Sequence, residues 1–250
     1  METGRPESHR GSESPRRARA ADVLGPSFKR FFWHAYDHLG TLILANLLWL
    51  VLCLGVVTAP AATAGLFRLA TRIAADEPAT LSDFWKGFRM DFAPALKVGA
   101  FTAAAAVAVW FNFGFYSGLS GPLAFAGAAI AAILIWAAAF LLLMHAHLHP
   151  LVARGDRSLR SLLRKSALLT MDRPGFTIGV TLQALVLSSL FVVSGAGLVL
   201  VLGSFIALLL STAHRELLKS YFPESPEAQE PPETRTLRDL LRPWESQRRS

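Results

Sequence analysis

Apolar residues in this chain gather into long blocks almost free of charge, separated by short stretches in which arginine and acidic residues recur every three or four positions. A helix rises about 1.5 Å per residue, so a hydrocarbon layer about 30 Å thick needs roughly 20 apolar residues to cross it. Five blocks come near that length, at about 39–58, 98–116, 122–144, 175–193 and 198–211. A helix buried in a soluble core would carry a polar stripe on every turn. These blocks carry none, so the pattern predicts an all-α, polytopic transmembrane helix bundle of about five spans.

Between the blocks lie segments too short or too charged to span. In 62–75, Leu66, Leu69, Ala70 and Ile73 share one face and Arg68 and Arg72 another, with Asp76-Glu77-Pro78 as the stop. In 80–92, Thr80 is placed as an N-cap with Asp83 at the capping-box position. Phe84, Trp85, Phe88 and Phe92 then form an aromatic ridge. In 156–171, Leu159, Leu162, Leu163, Leu168 and Met171 oppose Arg157, Arg160, Arg164 and Lys165. All three read as amphipathic helices lying on the membrane surface. Residues 1–27 and 223–250 hold too few patterned apolar residues to offset ordering entropy, and read as disordered tails around a membrane domain over 28–222. A short helix at most is expected around Leu237 to Leu241.

Composition changes this picture little. The net charge of +7 raises the question of nucleic acid. The arginines, however, sit in the tails and at block ends, as in membrane proteins, with no base-stacking array or groove-reading helix. Charge does assign sides. Segments 62–97, 149–174 and the stretch after His214 are basic, while the turns 117–121 and 194–197 carry no charge. The positive-inside rule puts the former in the cytoplasm and the latter outside. A single first span leaves the N-terminus outside; a re-entrant first segment leaves both tails inside.

The candidate chemistry is sparse. Asn46, Asn112 and Gln183, with Ser188 and Ser189, are the polar residues at mid-membrane depth, and inter-helix hydrogen bonding is their expected role. His145 and His149 are spaced four apart, as metal ligands can be, but no carboxylate or cysteine follows in sequence to complete a site. His34 and His38 read the same way. Cys53, the single cysteine, excludes an intrachain disulfide. No catalytic, cofactor or metal residues are assigned.

Three landmarks carry a resemblance. They are Asn46-Leu47-Leu48-Trp49 with Val56-Val57-Thr58 and the small residues to Gly65-Leu66; the aromatic helix Phe84-Trp85 to Phe92; and His149-Pro150-Leu151-Val152-Ala153-Arg154 with the basic helix after it. In order and spacing these resemble the YesL-like family of uncharacterised bacterial integral membrane proteins, a domain of unknown function, over about residues 28–222. Gly55 departs from the proline common there. The resemblance implies the bacterial plasma membrane and an accessory role beside sugar ABC importer subunits. The Glu-Ala-Ala loop by which importer permeases meet their ATPase is absent from the sequence. Function is thus expected to be that of a non-catalytic accessory or scaffold protein linked to carbohydrate uptake. Its contacts would come from Phe84, Trp85, Phe88, Phe92, Arg157, Arg160 and Arg164. The alternative is a small transporter or channel for neutral solutes, with Asn112 and Gln183 lining its path.

Overall fold

The computed structural model describes residues 20–222, 224–225, 229–231 and 233–235. Among them every regular element is helical: α1 (Ala20–Asp37), α2 (Leu39–Cys53), α3 (Ala59–Ala74), α4 (Leu81–Met90) and α5 (Phe92–Ser117). A 3-10 turn, Gly121–Leu123, leads into α6 (Ala124–Ala153), followed by α7 (Leu159–Asp172), α8 (Pro174–Ser194), α9 (Ala196–Leu200) and α10 (Leu202–Tyr221).

Three stretches are long and apolar enough to cross a membrane: Phe92–Ser117, Gly121–Ala153 and Pro174–Ser194. Their outward faces are apolar, with Trp110, Phe125 and Trp136 largely exposed. Apolar faces of this extent on helices of spanning length suit a lipid surround. This is a helical membrane protein.

The expected five spans are not confirmed. The first block is helical only over the 15 residues of α2, about 22 Å of rise and short of a bilayer core. It joins α1 at an 87° bend, and the two make a fourth span only if the bent pair crosses as one. The last expected span breaks at Val201 into the five-residue α9 and a mixed helix, α10, whose second half carries Arg215, Glu216 and Lys219. Counting apolar residues overlooked both breaks, because a bend of this kind leaves the hydropathy of a block unchanged. The helices also overrun their expected limits. α1 begins inside the predicted 1–27 tail and buries Val23 and Ser27, and α6 continues through Pro150 to Ala153.

The larger correction concerns α3. Its pattern predicts a surface helix, yet α3 is the hub of the fold and packs against α1, α2, α4, α5, α6 and α10. Ala61, Ala62, Ala64, Gly65, Leu69, Ala70 and Ile73 are all buried. Small residues around the helix let neighbouring backbones approach from several sides. The approach is closest at α4: a Cβ on Gly65 would lie 2.8 Å from the Phe84 carbonyl oxygen, and one on Gly87 would lie 3.0 Å from the Gly65 Cα. The arginines of α3 are part-exposed and tied to α4. Arg72 Nη1 donates to Asp83 at 2.9 Å, and Arg68 Nη1 donates to Asp91 at 3.0 Å, so the two ends of α4 are pinned to α3.

Candidate functional site

The three basic segments of the sequence converge at one end of the bundle. Arg72 from α3, Arg154 after α6 and Arg215 from α10 line one cavity of about 210 Å³.

Helix α4 starts where the sequence places it. The Asp83 carboxylate accepts the Thr80 backbone N–H at 3.0 Å, the reach-back half of a capping box. Burial pushes the Asp83 carboxyl up, but the Thr80 N–H and the Arg72 guanidinium outweigh it and hold it below the usual aspartate value. The aromatic ridge is shorter than its spacing suggests. Phe84 is fully buried against Gly65, and Phe92 is half-buried. What faces outward is Trp85, stacked on Phe88 with centroids 5.1 Å apart, and Arg89 lies over the Trp85 ring at 5.5 Å.

Helix α7 buries Leu162, Ser166 and Thr170 against the bundle. Asp156 ahead of it bonds Ser161 and Lys165 at 2.7 Å each, and these bonds hold its carboxyl below the usual value. Arg157, Arg160 and Arg164 are exposed and have no ion-pair partner among the described residues. Leu168 and Met171 continue the same outward stripe toward the start of α8 and are also exposed.

Of Asn46, Asn112 and Gln183, only Asn46 joins helices among the described residues. It is fully buried, its Nδ2 donates to the Val199 carbonyl at 2.7 Å, and its Oδ1 accepts the Ser204 N–H at 3.1 Å. Those are backbone groups at the α9–α10 break, left without helical partners, so Asn46 satisfies the chain where the helix fails. Asn112 bonds within its own helix, to the Ala108 carbonyl at 2.7 Å, and is exposed. Gln183 has a buried Oε1 without a partner among the described residues.

The histidines part company. The His145 and His149 rings lie 6.2 Å apart, but His145 Nε2 sits 3.0 Å from Thr102 Oγ1 and His149 stacks on Phe67. His147 pairs instead with Thr177 at 3.0 Å, its ring 5.7 Å from that of His214. His34 Nδ1 faces Asp76 at 3.7 Å. Among the described residues no group of three or more His, Cys, Asp or Glu could hold a metal ion.

Sequence reasoning missed a second charged centre, formed by Arg30 and His34 of α1, Asp76 after α3, Arg215, Glu216 and Lys219 of α10, and Glu230. Residues 229–231 and 233–235, within the expected C-terminal tail, run beside α1 and α10. Arg235 bonds Asp37 at 2.7 Å and lies 4.5 Å over the Trp33 ring. The expected helix at 237–241 lies outside the described residues. The one sequence signal for this centre is the run of charges ending α10, which by itself reads as a wet helix end.

A family model described as a protein of unknown function, DUF624, matches residues 42–113. The match covers most of α2, then α3, α4 and most of α5. It takes in the first two sequence landmarks and the α3–α4 clamp and leaves the third landmark outside. No curated protein and no solved structure matches the chain.

Proposed function

We propose that this chain is a non-catalytic accessory or scaffold protein of the bacterial cytoplasmic membrane, related to YesL-like proteins, that docks subunits of a sugar ABC importer at its basic end. The observation that carries the docking role is the pair of outward surfaces on α4 and α7. Trp85 stacked on Phe88 is an exposed aromatic anchor on a helix clamped at both ends by Arg72 and Arg68. Arg157, Arg160 and Arg164 form a cationic row with no ion-pair partner among the described residues. Exposed tryptophan and free arginine on rigid elements are the residue types that dominate protein–protein contacts. The link to sugar import rests on the resemblance of the three landmarks alone.

A transporter reading draws no support from the cavities described. The larger one, about 560 Å³, lies between α5 and α6 and is lined by apolar residues with Thr102 and His145, and neither Asn112 nor Gln183 reaches it. The test is affinity purification of the full chain from native membranes under conditions that keep an importer assembled. The wild type is expected to retain importer subunits, and Trp85→Ala with Arg160→Glu and Arg164→Glu to lose most of them. A wild type that retains none sinks the reading.

A further inference from the structure

The contacts of α1 fix the side of the membrane on which it lies. Lys29 Nζ donates to the Glu233 carbonyl and Arg30 Nη2 to the Pro231 carbonyl, each at 2.6 Å. Arg235 pairs with Asp37 at 2.7 Å, and Arg30 and His34 face Asp76 at 3.8 and 3.7 Å. So many charged groups are costly in hydrocarbon. They hold α1 beside Asp76 and beside the segment that follows α10. A helix held there along its length cannot be the first half of a bent span that ends with α2.

The other charged junctions meet at the same basic end. Asp91 ahead of α5 pairs with Arg68 of α3, and Arg154 after α6 shares a cavity with Arg72 and Arg215. Asp172, just ahead of α8, accepts a hydrogen bond from Tyr221 at the end of α10. The chain therefore leaves this end through α5 and through α8, and returns to it through α6 and through α9–α10. The stretch Leu39 to Ala74 also leaves and returns, because Asp37 before it and Asp76 after it are both held there. Yet α2 rises only about 22 Å and α3 about 24 Å, short of two crossings. The two helices are tied across their turn, where Trp49 Nε1 donates to Thr63 Oγ1 at 3.2 Å. No Asp, Glu, Lys or Arg occurs between Asp37 and Arg68. At the turn, Leu54 is 85% and Val56 87% exposed, a surface that suits acyl chains rather than water.

We propose that α2 and α3 form a re-entrant hairpin, which enters the bilayer from the cytoplasmic side, seats its Leu54–Val57 turn among acyl chains and returns to that side. Four crossings remain, by α5, α6, α8 and the α9–α10 pair, and the positive-inside rule puts α1 with the segment after α10 in the cytoplasm. Irregular backbone at membrane depth needs protein cover, and Asn46 of the hairpin supplies it to Val199 and Ser204 at the α9–α10 break. The hairpin is independent of the surfaces assigned to partner docking, so either reading can fail without the other.

The single cysteine makes the test direct. The full chain is expressed in a bacterial host, and intact and permeabilised spheroplasts are treated with a membrane-impermeant maleimide. Cys53, beside the turn, is expected to stay unlabelled in both and to react only after detergent solubilisation. Val56→Cys in a Cys53→Ser background should behave identically, and its high exposure separates shielding by lipid from shielding by protein. In the same background Ser120→Cys, in the outer turn, should label in intact spheroplasts. Gly25→Cys on α1, where a Cβ meets open space, and Glu224→Cys should label only after permeabilisation. Labelling of Gly25→Cys or of Val56→Cys in intact spheroplasts overturns the proposal, since α1–α2 would then cross or reach the outer face. Labelling of Val56→Cys on permeabilisation alone overturns it as well, because the turn would then lie in water on the cytoplasmic surface.

Discussion

Helices α3 and α7 both bury a leucine-bearing face and both carry arginines away from it, and the fold puts them in opposite places. α3 lies at the centre with its arginines spent on Asp83 and Asp91, whereas α7 lies at the edge with its arginine row facing outward. The difference is in the residues between the apolar ones. α3 fills them with alanine and glycine, so a second helix can touch its backbone. α7 fills them with arginine and lysine, whose long side chains hold other backbones away. Amphipathicity says that one face is buried; side-chain size on the other face decides whether that face is buried too.

The sharpest way to break the comparison is at the point of closest approach. Gly65→Val forces a side chain into the Phe84 carbonyl and is expected to cost about 3 kcal/mol, read as a large drop in thermal stability in detergent. A near-neutral outcome would return α3 to the surface. Next in size is the clamp. Asp91 is 1% exposed, and Asp91→Ala strips Arg68 of its partner, which should cost about 2 kcal/mol because Arg68 keeps some contact with solvent.

Asp83 gives the same clamp a pH signature. Its folded pKa lies below the unfolded value of about 3.9. Its contribution is therefore complete above that value and is lost as pH falls through the folded pKa. Unfolding temperature measured from pH 7 to pH 3 should fall more steeply at the acid end for the wild type than for Asp83→Asn. Equal slopes would mean that the Arg72–Asp83 bond contributes nothing.

Smaller again is Asn46→Ala, expected to cost about 1–2 kcal/mol by leaving the Val199 carbonyl and the Ser204 N–H unpaired. The smallest effect belongs to α7. Arg160→Gln with Arg164→Gln should change stability by less than about 0.5 kcal/mol, since neither arginine pairs with a described residue. A loss comparable to that of Asp91→Ala would give α7 the structural role assigned to α3.

These sites differ in how openly the sequence displays them. The start of α4 was legible, because a capping box lies within four residues, Thr80 to Asp83. The ridge itself could be drawn from spacing, but that only Trp85 of its four aromatics is exposed has no local signal: Phe88 packs against the core, and the burial of Phe84 depends on Gly65, nineteen positions earlier. Asn46 was recognisable as a polar residue in an apolar block, though not as the group that mends the α9–α10 break. The charged centre was illegible, since Arg30 and Glu230 stand 200 positions apart in two stretches that each read as tail or helix end.

The sequence by itself determined the class of protein: an all-helical chain with at least three helices able to cross a bilayer and its basic segments kept apart from its uncharged turns. Helix rise and bilayer thickness act on runs of adjacent residues, so a linear reading captures them. Only the tertiary structure decided how many blocks are unbroken, which amphipathic helix goes inside, and which buried cations share an anion. Those outcomes rest on backbone bends and on contacts between distant segments, and neither leaves a periodic trace in the chain.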